Sequence, residues 1–173
     1  ILDSKVIEER IAKVLNVLNE KVSLKKFVII QSINVICNLK LAYNDICIFS
    51  GISNDLLHNY RMDKDVKELL IFEKNKFVLA SSIYSQYLVR NTSERIEMIE
   101  TLQKLYIECS QNDSWINKYK LQRKMLISRS NIKLIFSTRK QLTRSEEENI
   151  FGYYDNIKNL ETATDNPYFW LEF

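Results

Sequence analysis

The chain has 173 residues, a net charge of +3 and 46% hydrophobic residues, with two Gly and one Pro. This length suits one domain, or two small packed modules, with room for a sizeable core. So little Gly and Pro argues for long helices and against a sandwich, a barrel or a nucleotide-binding α/β domain, all of which need glycine turns. Charge this weak allows nucleic-acid contact without arguing for it.

Residues 3–21 read as an amphipathic helix capped by Asp3 or Ser4, with Ile7, Ile11, Val14, Leu15 and Leu18 on one face. A second helix is expected over 23–40, capped by Ser23. Its Phe27, Val28, Ile29, Ile30, Ile33, Val35, Ile36 and Leu39 leave little polar face, so it should be central. Tyr43 to Ser50 reads as a short helix, Gly51-Ile52-Ser53 as a turn, and Asn54 to Tyr60 as a third helix capped by Ser53. That is a helix-turn-helix pattern, in which Gly51 supplies a left-handed conformation that a side chain would resist. The apolar spacing agrees, with Ile46 and Cys47 before the glycine, Ile52 after it, and Leu56 and Leu57 beyond. Leu69-Leu70-Ile71-Phe72 and Phe77-Val78-Leu79-Ala80 then flank the polar turn Glu73-Lys74-Asn75-Lys76, a β-hairpin signal. A hairpin placed there is a wing, and residues 24–80 look like a winged helix.

Helices resume after the wing. Ser81 or Ser82 caps one running to Arg90, with Ile83, Tyr84, Tyr87 and Leu88. Ser93 caps the next, whose stripe is Ile96, Ile99, Leu102, Leu105, Tyr106 and Cys109. Ser114 starts a third, carrying Trp115, Ile116, Tyr119, Leu121, Met125 and Leu126. A break near Ser128-Arg129-Ser130-Asn131 precedes Ile132-Lys133-Leu134-Ile135-Phe136. Thr143 with Glu146 forms a capping box for a helix bearing Ile150, Phe151, Tyr154, Ile157 and Leu160. At the end, Asn166 can cap, Pro167 suits a first helical turn, and Tyr168, Phe169, Trp170 and Phe173 follow. An amphipathic helix that stops there, in a chain opening at Ile1, reads as an internal segment of something longer. The fold class is mainly α, a winged-helix module with a short β-hairpin followed by a helical array. Its parts are an N-terminal helix over 1–23, the winged-helix-like module over 24–90, and the array over 91–173, truncated at its end.

Few residues suggest chemistry. Cys37, Cys47 and Cys109 are widely spaced, no CxxC occurs, and His58 is the only histidine. Two Cys and one His do not make a four-ligand zinc set without a carboxylate or the third Cys. Reduced, buried thiols in a cytoplasmic protein are the simpler reading. The chain shows no signal peptide, and no apolar run approaches the roughly 20 residues that span a bilayer, so no membrane is expected. There is no GxSxG or HExxH, and two glycines exclude a P-loop in this segment. Glu146, Glu147 and Glu148 suit a helix N-terminus rather than catalysis.

Nucleic-acid candidates fall in two places. On the helix-turn-helix they are Arg61 and His58, opposed by Asp55, with Lys74 and Lys76 on the wing beside Glu73. Such sparse charge favours a packing module over a duplex reader. The second place is Lys118, Lys120, Arg123, Lys124 and Arg129 on one expected helix, interleaved with Trp115 and Tyr119. A solvated face is its plainer reading, and Arg139, Lys140 and Arg144 join it only if they fold alongside.

The wing running into its helix (Leu69 to Leu88) and Tyr153-Tyr154-Asp155-Asn156-Ile157-Lys158-Asn159-Leu160 leading into Asn166-Pro167-Tyr168-Phe169-Trp170-Leu171-Glu172-Phe173 can be read together. They resemble the region after the NTPase core in large bacterial STAND-type P-loop NTPases. The ending resembles N-P-x-F-W-L-Q-[YF]-A, which recurs in antiphage defence proteins of that kind. Here Glu172 stands where Gln is usual, and the chain ends before the Ala. The resemblance spans about residues 24–173, and its specific part is the terminal motif.

It implies a parent that binds ATP and Mg upstream, senses a trigger and forms a homo-oligomer on activation. The winged helix would pack on the upstream NTPase core of the same chain, and the helical part would join core to sensor. None of the family's ATP-binding residues falls on a position here. Candidate docking residues are His58, Arg61, Lys74 and Lys76, and His58 is the candidate cofactor contact, because a histidine in that place can meet nucleotide phosphates in related switch ATPases. The expected function is thus a non-catalytic regulatory and scaffold segment of an ATP-dependent antiphage defence protein. The alternatives are a winged-helix nucleic-acid-binding regulator, using Arg61, Lys74, Lys76, Lys120, Arg123 and Lys124, and a helical protein-interaction module.

Overall fold

The computed structural model describes residues 4–80, 82–91, 95–137 and 141–172. Asp3, Ser81, Ser93, Arg139, Lys140 and Phe173 lie outside the described residues, as do the side chains of Ser4, Ile7, Ile11, Ile83 and Tyr84. Among the described residues the chain is mainly helical, with thirteen α-helices and one antiparallel strand pair. It divides into two compact units, Ile1–Val35 with Leu41–Thr92, and Ile36–Lys40 with Ser93–Phe173. Among the described residues no helix is long and apolar enough to cross a membrane.

The first unit begins with α1 (Ser4–Asn19), whose Val14 and Leu18 are buried. Helix α2 (Val22–Ile36) buries Leu24, Phe27, Val28, Ile29, Ile30 and Ile33. The expected helix over 23–40 is corrected at both ends. Ser23 lies inside α2 rather than capping it. Beyond Ile36, Asn38 and Lys40 take φ of 50° and 58°, left-handed values that break a helix, and the Leu41 N–H is met by Asn34 Oδ1 at 2.9 Å. Val35, expected inside, is 45% exposed.

Helices α3 (Tyr43–Ser50) and α4 (Asn54–Asn59) follow, joined through Gly51 at φ 67°. A 3-10 turn, Tyr60–Met62, takes up the last residue expected in α4. Helix α5 (Lys64–Leu69) was not foreseen from the sequence; Asp63 starts it by accepting the Asp65 and Val66 N–H groups. Strands β1 (Leu70–Glu73) and β2 (Lys76–Leu79) pair in register Leu70 to Leu79 and Glu73 to Lys76. Lys74 and Asn75, both at positive φ, form the turn between them. Helix α6 (Ser82–Asn91) packs on α1 and β2, and α1 also packs on α5.

The second unit is built on α7 (Arg95–Glu108) packed against α11 (Arg144–Ile157). Between them run α8 (Asp113–Lys118), α9 (Lys120–Ile127) and α10 (Arg129–Phe136). The single helix expected from Ser114 is two. Asn112, not Ser114, caps α8 through the Trp115 N–H, and Tyr119 leaves helical geometry at φ −104°, ψ 23° while its side chain is buried. The expected break at 128–131 narrows to Ser128, since Arg129 already belongs to α10. The Thr143–Glu146 capping box forms, with the Glu146 N–H bonded to Thr143 Oγ1 at 3.3 Å.

Three residues placed on apolar stripes are surface residues. Ile96, Leu121 and Phe151 are 65%, 48% and 56% exposed. Leu102, Leu105, Tyr106, Ile150, Tyr154 and Ile157 of those stripes are buried, and Met98 and Tyr153 complete the packed faces of α7 and α11 at their edges. The chain closes with α12 (Glu161–Thr164) and α13 (Pro167–Glu172). Asn166 Oδ1 accepts the Tyr168 N–H at 3.0 Å. Of the terminal aromatics Phe169 is buried against Tyr154, whereas Tyr168 and Trp170 are exposed.

Candidate functional site

The candidate site of the first unit grows from three local turns. Gly51 closes α3, with its N–H on the Ile48 carbonyl and the Ile52 N–H on the Cys47 carbonyl, each at 3.1 Å. A Cβ at Gly51 would meet no atom within 4 Å, so the demand there is purely for a left-handed backbone. Ser53 then starts α4 by accepting the Leu56 N–H at 3.2 Å. Asp63 stops the 3-10 turn, starts α5 and also takes the Lys21 ammonium at 2.5 Å. That ammonium, ahead of the backbone donors, holds the Asp63 carboxyl below the usual carboxylate range.

These turns set His58 and Arg61 over the hairpin. The His58 ring meets Phe72 edge-on at 5.0 Å and Phe77 at 6.0 Å. The Arg61 guanidinium lies over Phe72 at 4.4 Å from the ring centre, within cation–π range. Behind them Phe72 and Phe77 pack at 5.0 Å. The result is an open groove of about 690 Å³ lined by His58, Arg61, Met62, Lys67, Ile71 and Phe72 among others. Its charged lining is basic, and among the described residues no carboxylate lines it.

Lys74 and Lys76 stand apart from the groove, exposed at the hairpin turn. Lys67 and the 76%-exposed Met62 belong to the groove and were missed from the sequence. Lys67 comes to the groove through α5, whose sequence signal is the Asp63 cap, and Met62 through the 3-10 turn before it. The groove offers a guanidinium and an imidazole fixed on aromatic rings, which suits docking of an anionic or polar surface rather than bond chemistry.

The basic run of the second unit is divided among α8, α9 and α10, so the expectation of one helical face does not hold. Arg123 turns inward, its Nη1 donating to the carbonyls of Cys109 at 2.9 Å and Ile116 at 2.7 Å. Carbonyls at helix ends lack intrahelical partners, and Arg123 supplies them. Lys120 and Lys124 reach the surface, the latter with its ammonium 5.6 Å from the Tyr168 ring centre.

The three thiols are buried. Burial pushes Cys37 up to about 12 and raises Cys47, and it also pushes the Tyr43 hydroxyl up to about 12. Protonated, enclosed thiols are poor nucleophiles. Comparison of the chain with protein-family models, with curated proteins and with solved structures gives no match.

Proposed function

We propose that this chain is a non-catalytic regulatory and scaffold segment of a larger ATP-dependent antiphage defence protein. In this reading α3, α4 and the hairpin act as a winged helix that packs on an upstream NTPase core of the same chain. The second unit joins that core to a sensor. The core would hold ATP and Mg, the protein would work in the cytoplasm, and activation would bring copies together.

The observation that carries the reading is the groove holding His58 and Arg61 on Phe72. A surface that docks in one state and releases in another needs polar and charged groups held rigidly, so that little ordering is required at each change. His58 and Arg61 are placed by side chains and caps of their own unit, ready for an acidic or nucleotide-bearing partner. The terminal motif supports the same reading: Phe169 is its buried anchor, and Glu172 accepts the Arg129 N–H at 2.9 Å, a role a Gln carbonyl could equally serve.

A duplex-binding winged helix is the rival, favoured by the exposed Lys74 and Lys76 at the hairpin turn. Against it, α4 has six residues and exposes Asp55, and specific duplex readers aim Arg, Lys, Asn or Gln into the groove. The coding sequence upstream of Ile1 tests the proposal. A GxxxxGK[ST] loop followed by an acidic strand end is expected. An initiator codon directly before Ile1 would sink the reading, and duplex binding with a steep salt slope, lost in Lys74→Glu, would establish the rival.

A further inference from the structure

We propose that the second unit carries a cradle for an acidic, amphipathic peptide segment of a partner protein. This goes beyond the regulatory reading and rests on the second unit alone.

An open groove of about 760 Å³ lies where α8, α9 and the start of α13 converge. Leu121, Pro167 and Tyr168 form apolar wall in it, and Leu121 and Tyr168 are 48% and 61% exposed. Large apolar groups left to water around a concavity mark a place where another apolar group gains by entering. Lys118, Lys120 and Lys124 also line it, against one carboxylate among the described residues, Asp165. Lys120 and Lys124 are four apart on α9, so both project from one side of that helix.

Charge and shape together define the occupant. The apolar wall asks for a Leu- or Phe-sized anchor, and the lysines ask for carboxylates one helical turn to either side of it. Single-stranded nucleic acid fits less well. Its bases need open aromatic faces, and the Lys124 ammonium already sits over one face of Tyr168. Arg123, whose planar fork best matches phosphate, is held inward by two carbonyls. The Glu147–Glu148 and Phe151 surface of a second copy is an alternative occupant of the same chemistry. In this chain, however, Glu148 already pairs with Arg144 at 3.1 Å.

The test is fluorescence polarisation on the full chain, using a labelled synthetic helical peptide with Glu flanking Leu and Phe on one face. Two controls are a peptide with the same acids but Ala for Leu and Phe, and a labelled oligothymidylate. The amphipathic peptide should bind saturably and more weakly as salt rises. The Lys120→Glu/Lys124→Glu variant should lose about tenfold or more in affinity. Leu121→Asp should lose a similar factor with unchanged circular dichroism, because its side chain is at the surface.

Equal binding of the Ala control would overturn the proposal, since charge alone would then explain it. So would tighter binding of the oligothymidylate. Concentration-dependent dimerisation abolished by Leu121→Asp in the absence of peptide would assign the cradle to a second copy instead. Should either variant change the circular dichroism, Lys120→Gln/Lys124→Gln with Tyr168→Ala gives the same two readouts without adding charge.

Discussion

The two units end their helices in different ways. In the first, breaks are made by neighbours in sequence: Gly51 closes α3, Ser53 opens α4, and Asp63 opens α5. In the second, helix ends are also held by residues far along the chain. Tyr153 Oη donates to the Leu126 carbonyl at 3.1 Å and Tyr154 Oη to the Ile127 carbonyl at 2.6 Å, each 27 residues away, at the end of α9. Gln122 Nε2 reaches the Leu39 carbonyl at 2.8 Å, and Arg123 serves the ends of α7 and α8. Buried backbone carbonyls must be paired, and a unit that pairs them over distance absorbs polar side chains which look like surface function in the sequence. Arg61 and Arg123 show the consequence. Both are candidates by charge, yet one lies at the surface of a groove and the other is a structural strut.

The largest expected effects test whether the two units depend equally on their aromatic cores. Phe77→Ala in the first unit and Phe169→Ala in the second should each cost about 3–5 kcal/mol by urea unfolding, since both are fully buried. A small loss for Phe169 alone would mean that the terminal helix is not a working part of its unit.

Next, the two arginines should separate. Arg123→Ala should destabilise by about 1.5–3 kcal/mol, because it strips charged hydrogen bonds from two carbonyls. Arg61→Ala should cost about 0.5–1 kcal/mol, the range of an exposed cation–π contact.

The two glycines should then differ in sign. Gly51→Ala should destabilise by about 1–2 kcal/mol for its left-handed backbone. Gly152 lies inside α11, where an added Cβ would meet Ile99 Cδ1 at an ordinary 3.6 Å. Gly152→Ala should therefore stabilise by about 0.5–1 kcal/mol.

The smallest effect is a pH dependence in the first unit. Asp63 has a lowered folded-state value, chiefly through Lys21. Its contribution is therefore present above the unfolded carboxyl value of about 3.9 and is lost as pH falls through the lowered folded value. The thermal stability gap between wild type and Asp63→Asn should be open at neutral pH and close in acid. Asn still caps a helix, so the comparison isolates the charge.

The same contrast explains what was legible in the sequence. Gly51, Ser53, the Asn75 turn and the Thr143–Glu146 box act within a few residues, and periodicity with capping chemistry finds them. Helix α5 escaped because its cap, Asp63, follows a 3-10 turn that masks the start signal. The division at Tyr119 escaped because its cause is tertiary, the burial of that side chain. Ile96 and Phe151 were misplaced because helical spacing names a stripe but not which edge of it meets the neighbouring helix. For the site, His58 and Arg61 were singled out by residue type. Phe72 as their floor, and Lys67 and Met62 as their neighbours, depend on the hairpin folding against α5, which spacing alone does not give.

The proposed docking role of the His58–Arg61 groove requires partner contacts that differ between two states. Amide hydrogen exchange on the complete protein, with and without added Mg–ATP, tests it most directly. Amides across residues 58–72 should change protection between the two conditions, and Arg61→Glu should remove the change while leaving exchange in α7 and α11 as it was. Equal protection of residues 58–72 in both conditions, in a protein that demonstrably binds ATP, would contradict it.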